Sequence, residues 1–284
     1  MTIPKVSVVM TAYGVAPWIK QAVESVLAST ETDLELIVVD DASDDGTAEI
    51  LAEFSDPRMR VIRNAENVGA GVSRQVGIGA ARGAFVMLID GDDYIGEDFI
   101  EALVKRQEES GAAMVSGGIT FVDDEKGVVG EYETKDEEWE SYEDVTRLWG
   151  KRLLFLNNML IKRDLLIKTG YSPRRYIEDA QTRFMLMYYA DRIAYSSNKG
   201  YFYRRRASSL TNSASGLKDA IYRALAAKDL MIFFRDKGEK WNDLFGIKLF
   251  ASGINNLKQY KPTRESVEPW REDFIELMLY MMNI

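Results

Sequence analysis

Three times in the first 93 residues a short apolar run stops abruptly at a polar loop: Val6–Met10 before Thr11-Ala-Tyr13, Leu34–Val39 before Asp40-Asp41, and Phe85–Ile89 before Asp90-Gly-Asp-Asp93. Between the runs, apolar residues recur at helical spacing, with Ile19, Ala22, Val23, Val26 and Leu27 after the first and Ile50, Leu51 and Phe54 after the second. Met59–Arg63 supplies a further short strand, and a Gly-containing helical stretch over Ala70–Arg82 leads into Phe85. Strands that alternate with helices pair in parallel through crossovers, and strands apolar at nearly every position are buried on both faces. The chain is therefore predicted to build an α/β domain on a mostly parallel central sheet flanked by helices. In such sheets ligands lie beyond the carboxyl ends of the strands. One topology would thus gather all three polar loops at a single edge.

After Tyr94 the pattern predicts a helix carrying Phe99, Ile100, Leu103 and Val104, a strand at Ala113–Gly117, and a hairpin turning at Asp123–Gly127. Thr134–Asp144 is strongly acidic and reads as an exposed loop, with Ser141-Tyr-Glu-Asp144 as a helix-capping sequence. Beyond Leu217 the spacing becomes wholly helical, over Leu217–Phe234, Trp241–Leu257 and Arg271–Ile284. The expected organisation is a domain over 1–215, with halves 1–116 and 117–215, and a helical C-terminal appendage over 216–284. The last helix carries Phe274, Ile275, Leu277, Met278, Leu279, Met281 and Met282, too many apolar residues for one narrow stripe. That surplus suits core packing or a homodimer contact, with peripheral membrane attachment or a truncated further domain as the alternatives.

Composition narrows the chemistry. The 284 residues include neither cysteine nor histidine, which removes disulfides, thiolate metal sites and cysteine nucleophiles. Proton transfer near neutral pH falls to Asp, Glu, Lys or Tyr. A metal must be held by oxygen, which favours Mg²⁺ or Mn²⁺ over zinc or copper. A net charge of −9 argues against a nucleic-acid partner, which calls for a broad basic surface. The N-terminal run lacks the features of a secretory signal, and no apolar run reaches the ~18 residues of a membrane span. The expected location is the cytoplasm, at most peripheral on the inner membrane face.

Four constellations carry chemical weight. Asp40–Gly46 mimics the start of a calcium loop, but Ala52 stands where the bidentate Glu belongs. Ser43, Asp44 and Asp45 then read as caps for the next helix, while Asp40 and Asp41 are better placed for a ligand. Asp90, Asp92 and Asp93 repel one another unless a cation sits among them, and a divalent metal completed by diphosphate oxygens would remove the conflict. Glu178-Asp179 opens a helical stretch, where a carboxylate suits a general base and is also favoured by the helix dipole. Arg204-Arg205-Arg206, after Tyr201-Phe-Tyr, brings guanidiniums together in an acidic chain, a geometry fitted to phosphate.

Taken in order, Val-Ser-Val-Val-Met-Thr-Ala-Tyr, Val-Val-Asp-Asp-Ala-Ser-Asp-Asp-Gly-Thr, Asn64-Ala-Glu-Asn-Val-Gly69, Leu-Ile-Asp-Gly-Asp-Asp, Ile-Glu-Asp and Tyr-Phe-Tyr-Arg resemble the family 2 glycosyltransferases over roughly residues 4–213. These are inverting enzymes with the Rossmann-like GT-A fold. The resemblance implies that Thr11, Tyr13 and Asp41, with Asp40 close by, contact the base of a nucleotide sugar, usually a uridine diphosphate sugar. It implies that Asp90-Gly-Asp-Asp93 is the Asp-x-Asp element, with Asp90 on the ribose side and Asp92 and Asp93 holding Mn²⁺ or Mg²⁺. Arg74 matches the Arg of a family Arg-Asn pair whose Asn is Gln75 here. Asp179 corresponds to the catalytic base and Glu178 to its acceptor-positioning neighbour. Arg204 and Arg206 follow the segment that closes over the diphosphate, without the His the family often has there.

The function expected from these readings is transfer of a sugar from a nucleotide diphosphate sugar to a hydroxyl of a surface-polysaccharide or lipid-linked glycan acceptor. Residues 117–176, including Trp139, Trp149, Asn157 and Asn158, are expected to select the acceptor. The alternatives are a nucleotidyltransferase on a sugar phosphate, which has no use for Asp179, and a silent sugar-nucleotide-binding module.

Overall fold

The computed structural model describes residues 3–136, 138–139, 155–173, 178–190, 192–206, 217–236 and 271–282. Its first seven elements are β1 (Val6–Ala12), α1 (Ala16–Leu27), β2 (Leu34–Asp40), α2 (Thr47–Ala52), β3 (Met59–Arg63), α3 (Ala70–Ala80) and β4 (Phe85–Asp90). β1 lies between β2 and β4 and is parallel to both, and β3 extends the parallel set beyond β2. In this register Thr11 stands opposite both Val39 and Asp90, and Ala12 opposite Asp40. The three strands therefore end together, as the alternation of elements requires.

Next come β5 (Tyr94–Ile95), α4 (Phe99–Ser110), β6 (Met114–Ser116), β7 (Ile119–Asp123), β8 (Gly127–Tyr132) and β9 (Glu138–Trp139). A 3₁₀ turn (Leu156–Asn158), β10 (Met159–Lys162), α5 (Arg163–Thr169), α6 (Glu178–Tyr189), β11 (Ile193–Tyr195) and β12 (Tyr201–Arg204) follow. The main sheet runs β3-β2-β1-β4-β10-β6-β11-β9, and a smaller sheet runs β5-β12-β7-β8. β10 is antiparallel to β4 and β6, whereas β11 is again parallel to β6. The fold is thus a mixed α/β one built on a large, mostly parallel sheet.

Both faces of that sheet are buried, and side-chain alternation sorts the residues between them. Val6, Val8, Met10, Leu36, Val38, Met87 and Ile89 face one core with Ile19, Val23 and Val26 of α1 and Phe99, Ile100 and Leu103 of α4. Val9, Ile37, Val39, Val86 and Leu88 face the other with Ile78 of α3, Leu165 and Leu166 of α5, and Leu186 and Met187 of α6. α3 approaches the sheet closely at Gly77, where a β-carbon would come within 2.3 Å of Val9 Cγ1 and 3.2 Å of Val39 Cγ2. That contact fixes the height of α3 over β1 and so the position of Arg74, one turn earlier.

The acidic segment departs from expectation in part: Lys135 and Asp136 are exposed and irregular as expected, while its flanks are tied down, and 140–144 lies outside the described residues. Thr134 is buried and donates its hydroxyl to Ser196 O, Ser197 N donates to Asp136 Oδ1 at 3.0 Å, and β9 pairs antiparallel with β11 through Trp139 and Ala194's partner Glu138. The open backbone edge of β11 captures this stretch despite its charge, because an unpaired strand edge is a ready partner. Ser141–Asp144 and Trp149, together with the helix expected over Trp241–Leu257, lie outside the described residues.

The chain divides into two compact units, 1–175 with 185–205, and 176–184 with 206–284. In the second, α7 (Leu217–Asp236) and α8 (Arg271–Met282) meet through Ala220, Ile221, Ala224, Leu225 and Leu277. Tyr222 Oη donates to Asp273 Oδ2 at 2.7 Å, and Lys228 pairs with Glu276. Ile275, Met278 and Leu279 share an exposed face of α8. Among the described residues no helix is long and apolar enough to cross a membrane.

Candidate functional site

The common end of β1, β2 and β4 gathers the residues that the sequence marks. Asp90, the last residue of β4, is held on both oxygens. Its Oδ1 accepts from Arg74 Nη2 at 2.6 Å and from Thr11 Oγ1 at 3.2 Å, and its Oδ2 accepts from Asn157 Nδ2 at 2.7 Å. Arg74 is itself buried; Nη1 donates to Tyr171 Oη at 3.3 Å, and the guanidinium lies 5.9 Å from the Tyr171 ring centroid. Gln75 Nε2 donates to Tyr171 O at 2.6 Å. The departure from the family's Arg-Asn pair thus has a local use, since the longer amide reaches the backbone of the residue that Arg74 rests on.

Asp92 and Asp93 follow in the turn between β4 and β5. Asp93 is buried, and its carboxylate accepts from Tyr201 Oη at 2.6 Å and from Arg204 N at 2.9 Å. Burial, then the charges of Asp92 and Asp90, push the Asp93 carboxyl well above the usual range, opposed by those two hydrogen bonds. The Tyr201 hydroxyl is pushed up as well, chiefly by burial, which keeps it a donor. Arg204 Nε donates to Asp92 O at 2.8 Å and Nη2 to Gln21 Oε1 at 2.7 Å, while Nη1 pairs with Asp124. Trp18 Nε1 donates to the same Asp124 at 2.9 Å. Arg204 therefore ties the aspartate turn to α1 and to the β7–β8 hairpin.

The carboxylates of Asp90, Asp92 and Asp93 offer oxygen atoms that all lie within 4.8 Å of one another. This is an oxygen-only set of like charges, the donor chemistry of a hard divalent cation. Of the two residues expected to hold the metal, Asp93 is buried with both oxygens engaged, and Asp92 is the half-exposed one.

At the end of β2, Asp40 is buried, accepts from Ser43 N at 3.1 Å and pairs with Arg63 at 3.1 Å. Asp41 Oδ1 accepts from Asn64 Nδ2 at 2.8 Å and Val68 N at 3.0 Å, and Oδ2 from Gly69 N at 2.8 Å. Asp41 thereby holds the loop that leads into α3, and of the roughly four acceptor positions of a carboxylate it keeps one. Tyr13 is 54% exposed at the same edge. The Ser43–Thr47 turn caps α2 through Asp45, whose Oδ1 accepts from Thr47 N at 3.1 Å and Thr47 Oγ1 at 2.6 Å, and it has a second duty. Its side chains also accept from the start of α1, Ser43 Oγ from Gly14 N at 3.3 Å, Thr47 Oγ1 from Val15 N at 3.2 Å and Asp45 Oδ2 from Ala16 N at 2.9 Å. The left-handed Gly46 stands at the N-cap of α2, turning these side chains back across the sheet edge.

Glu178 and Asp179 open α6 and belong to the second compact unit, as does Arg206. Asp179 is half-buried. Arg183, one turn along, has its guanidinium lowered to about 10 by burial, with Asp179 acting in the opposite direction, so it stays charged at neutral pH.

Sequence reasoning assigned Asn157 to the acceptor and did not find Tyr171, Gln21 or Asp124. Each reaches the site from a remote element, and only the strand order could have revealed them.

A sequence model described as glycosyl transferase family 2 matches residues 7–170. Glycosyltransferase GlyG of Streptococcus pneumoniae serotype 4 is 29% identical over 277 residues, 92% of this chain and 89% of GlyG. The succinoglycan biosynthesis protein ExoO of Rhizobium meliloti is 38% identical over 120 residues, 42% of this chain and 34% of ExoO. Among solved structures, S. aureus TarS 1–349 in complex with UDP-GlcNAc matches with a TM-score of 0.68 at 19% identity, covering 96% of this chain and 79% of that one.

Proposed function

The chain belongs to glycosyl transferase family 2, and from that premise we propose that it is an inverting, metal-dependent glycosyltransferase that uses a uridine diphosphate sugar. The observation that carries this reading is the convergence of Asp90, Asp92 and Asp93 at the carboxyl edge of the sheet, gripped by Arg74 and Arg204. Support for the donor comes from TarS, a fold relative solved with UDP-GlcNAc. Thr11, Tyr13 and Asp41 line the base, with Asp40 behind them. Asp41 has one acceptor position left, enough for a single ring N–H. Asp90 takes the ribose, and Arg74, Arg204 and Arg206 complete the donor side.

Asp92 and Asp93 would hold Mn²⁺ or Mg²⁺, which when bound offsets the charge developing on the departing diphosphate. Asp179 accepts the proton of the acceptor hydroxyl as that oxygen attacks the anomeric carbon, and Glu178 positions the acceptor. The C–O bond to the acceptor forms as the bond to the diphosphate breaks. One displacement inverts the anomeric centre and needs no glycosyl-enzyme intermediate. The acceptor is a hydroxyl of a surface-polysaccharide or lipid-linked glycan, a reading supported by the succinoglycan relative. It places the enzyme at the cytoplasmic side of a membrane, with the helices of 216–284 as an appendage that dimerises or rests on that surface.

The test is release of nucleoside diphosphate across a panel of nucleotide sugars, with Mn²⁺, Mg²⁺ or chelator, on wild type and Asp179→Asn. Metal-dependent release of uridine diphosphate from one sugar, lost in Asp179→Asn, is the expected result. Pyrophosphate release would instead indicate a nucleotidyltransferase, and metal-dependent UDP binding without turnover under any acceptor a silent module.

A further inference from the structure

We propose that Asn157 is a positioning residue of the donor site, acting through Asp90. The inference rests on the donor reading above. Arg74 and Thr11 occupy Oδ1 of Asp90, and Asn157 occupies one position on Oδ2. A carboxylate offers about four acceptor positions, so three are taken and one remains, on Oδ2. Asp90 is thereby fixed in orientation and presents a single acceptor to a donor hydroxyl.

The topology explains why a residue 67 positions away performs this task. β10 runs antiparallel to β4, with Leu160 opposite Met87 and Lys162 opposite Phe85, so the beginning of β10 lies beside the end of β4. The 3₁₀ turn that leads into β10 carries two adjacent asparagines with different duties. Asn158 is fully buried and anchors the turn to the end of β6, where Nδ2 donates to Ser116 Oγ at 3.3 Å and to Gly117 O, and its carbonyl accepts from Gly117 N at 3.0 Å. Asn157, half-buried, is left to reach across to Asp90. A neutral amide suits that position. A second cation beside Arg74 would cancel the charge that the aspartate cluster presents, whereas an amide orients the carboxylate and leaves the charge intact. Gln75 and Tyr171 set Arg74 on the opposite oxygen, so one grip comes from α3 and the other from the turn that leads into β10.

The test is a double-mutant cycle over Asn157→Ala and Asp90→Asn, read by calorimetric binding of UDP with Mn²⁺ and by the split between kcat and donor KM. A hydrogen bond to a charged group corresponds to at least about a tenfold effect. Asn157→Ala is expected to weaken UDP binding and raise donor KM about tenfold, with kcat changed by less than about threefold. In the Asp90→Asn background the same substitution is expected to change binding less than about twofold, because a positioning effect disappears with the group positioned. An equal loss in both backgrounds would make the role merely structural and overturn the inference. Should Asn157→Ala melt early, Asn157→Ser keeps a donor on a shorter arm and is expected to fall between alanine and wild type; serine no better than alanine would count against it. Wild type that binds UDP while Asn157→Ala binds it equally well overturns this inference alone. Wild type that binds no UDP overturns the donor reading and this inference with it.

Discussion

The two ends of the same three strands treat buried charge in opposite ways. At the amino end, Glu35 of β2 is one buried carboxylate among many donors. Its Oε1 accepts from Ser7 Oγ at 2.7 Å and Arg82 N at 2.8 Å, its Oε2 from Arg82 Nε at 3.1 Å and Nη2 at 2.9 Å, with Arg60 3.5 Å away. Burial pushes the Glu35 carboxyl up, but the bonds from Ser7 and Arg82 outweigh it and leave the group below the usual range. At the carboxyl end three carboxylates crowd together, and Asp93 is driven the other way, well above that range. One end closes its charge within the fold. The other is offset only in part, by Arg74 on Asp90, and on the proposed reading a bound cation would relieve the crowding that remains.

The largest effect that can break this contrast is Asp92→Asn. Nucleoside diphosphate release is expected to fall about 100-fold or more, the scale of removing one charge-stabilising group from an active site. The metal-free melting temperature should stay level or rise, because repulsion within the cluster drops. Calorimetry beside the release assay reads both, and a parallel loss of stability would mean that Asp92 belongs to the fold. Next is the cation itself. Mn²⁺ at about 100 times its Kd should stabilise wild type by about 2.7 kcal/mol, and chelator should remove the gain. Thermal melts of Asp92→Asn should show most of that gain missing, and those of Glu35→Gln should keep it.

Glu35→Gln tests the closed end. It is expected to cost about 2 kcal/mol at neutral pH by chemical denaturation, the scale of charge-assisted hydrogen bonds, with turnover per folded molecule unchanged. The pH dependence has a definite sign. Because the folded Glu35 carboxyl lies below its unfolded value, its contribution is present above the ordinary carboxylate pKa and is lost as pH falls through the folded one. Wild type and Glu35→Gln should therefore converge in acid. A gap that widens there would contradict the assignment.

What the sequence made legible follows the same division. The apolar runs gave β1, β2 and β4 directly, because strands buried on both faces cannot hide their composition. The acids at their ends were placed at one edge by parallel pairing alone. Partners of those acids were not legible. Asn157 reaches Asp90 only because β10 inserts antiparallel beside β4, and Arg204 reaches Asp92 O only because β12 joins the second sheet beside β5. The Ser43–Thr47 turn looked like a cap for its own following helix, and through Asp45 it is one, but it also serves α1, since parallel strand ends bring neighbouring loops closer in space than in sequence. Local chemistry was readable, and non-local pairing was not.

The smallest effect concerns backbone. Among the described residues, Ala42 alone is a non-glycine with positive φ, at 60°, and it sits at the carboxyl end, between Asp41 and Ser43. A β-carbon in that region costs about 1 kcal/mol, and such strain persists only where surrounding bonds over-determine the conformation. Here they do. Asp41 N donates to Ala12 O at 2.9 Å, Ser43 N to Asp40 Oδ1 at 3.1 Å, and Arg63 Nη2 to Ser43 O at 2.8 Å. Ala42→Gly removes the strain but adds freedom to the unfolded chain, so a net gain of about 0.5 kcal/mol is expected, read as a rise in melting temperature of about 1–2 °C. UDP binding should not change, because the hydrogen bonds that hold Asp41 in place do not pass through the Ala42 side chain. If glycine instead loosens binding while raising stability, the alanine is restricting the loop that presents Asp41, and the strain at this end of the strands is part of the site.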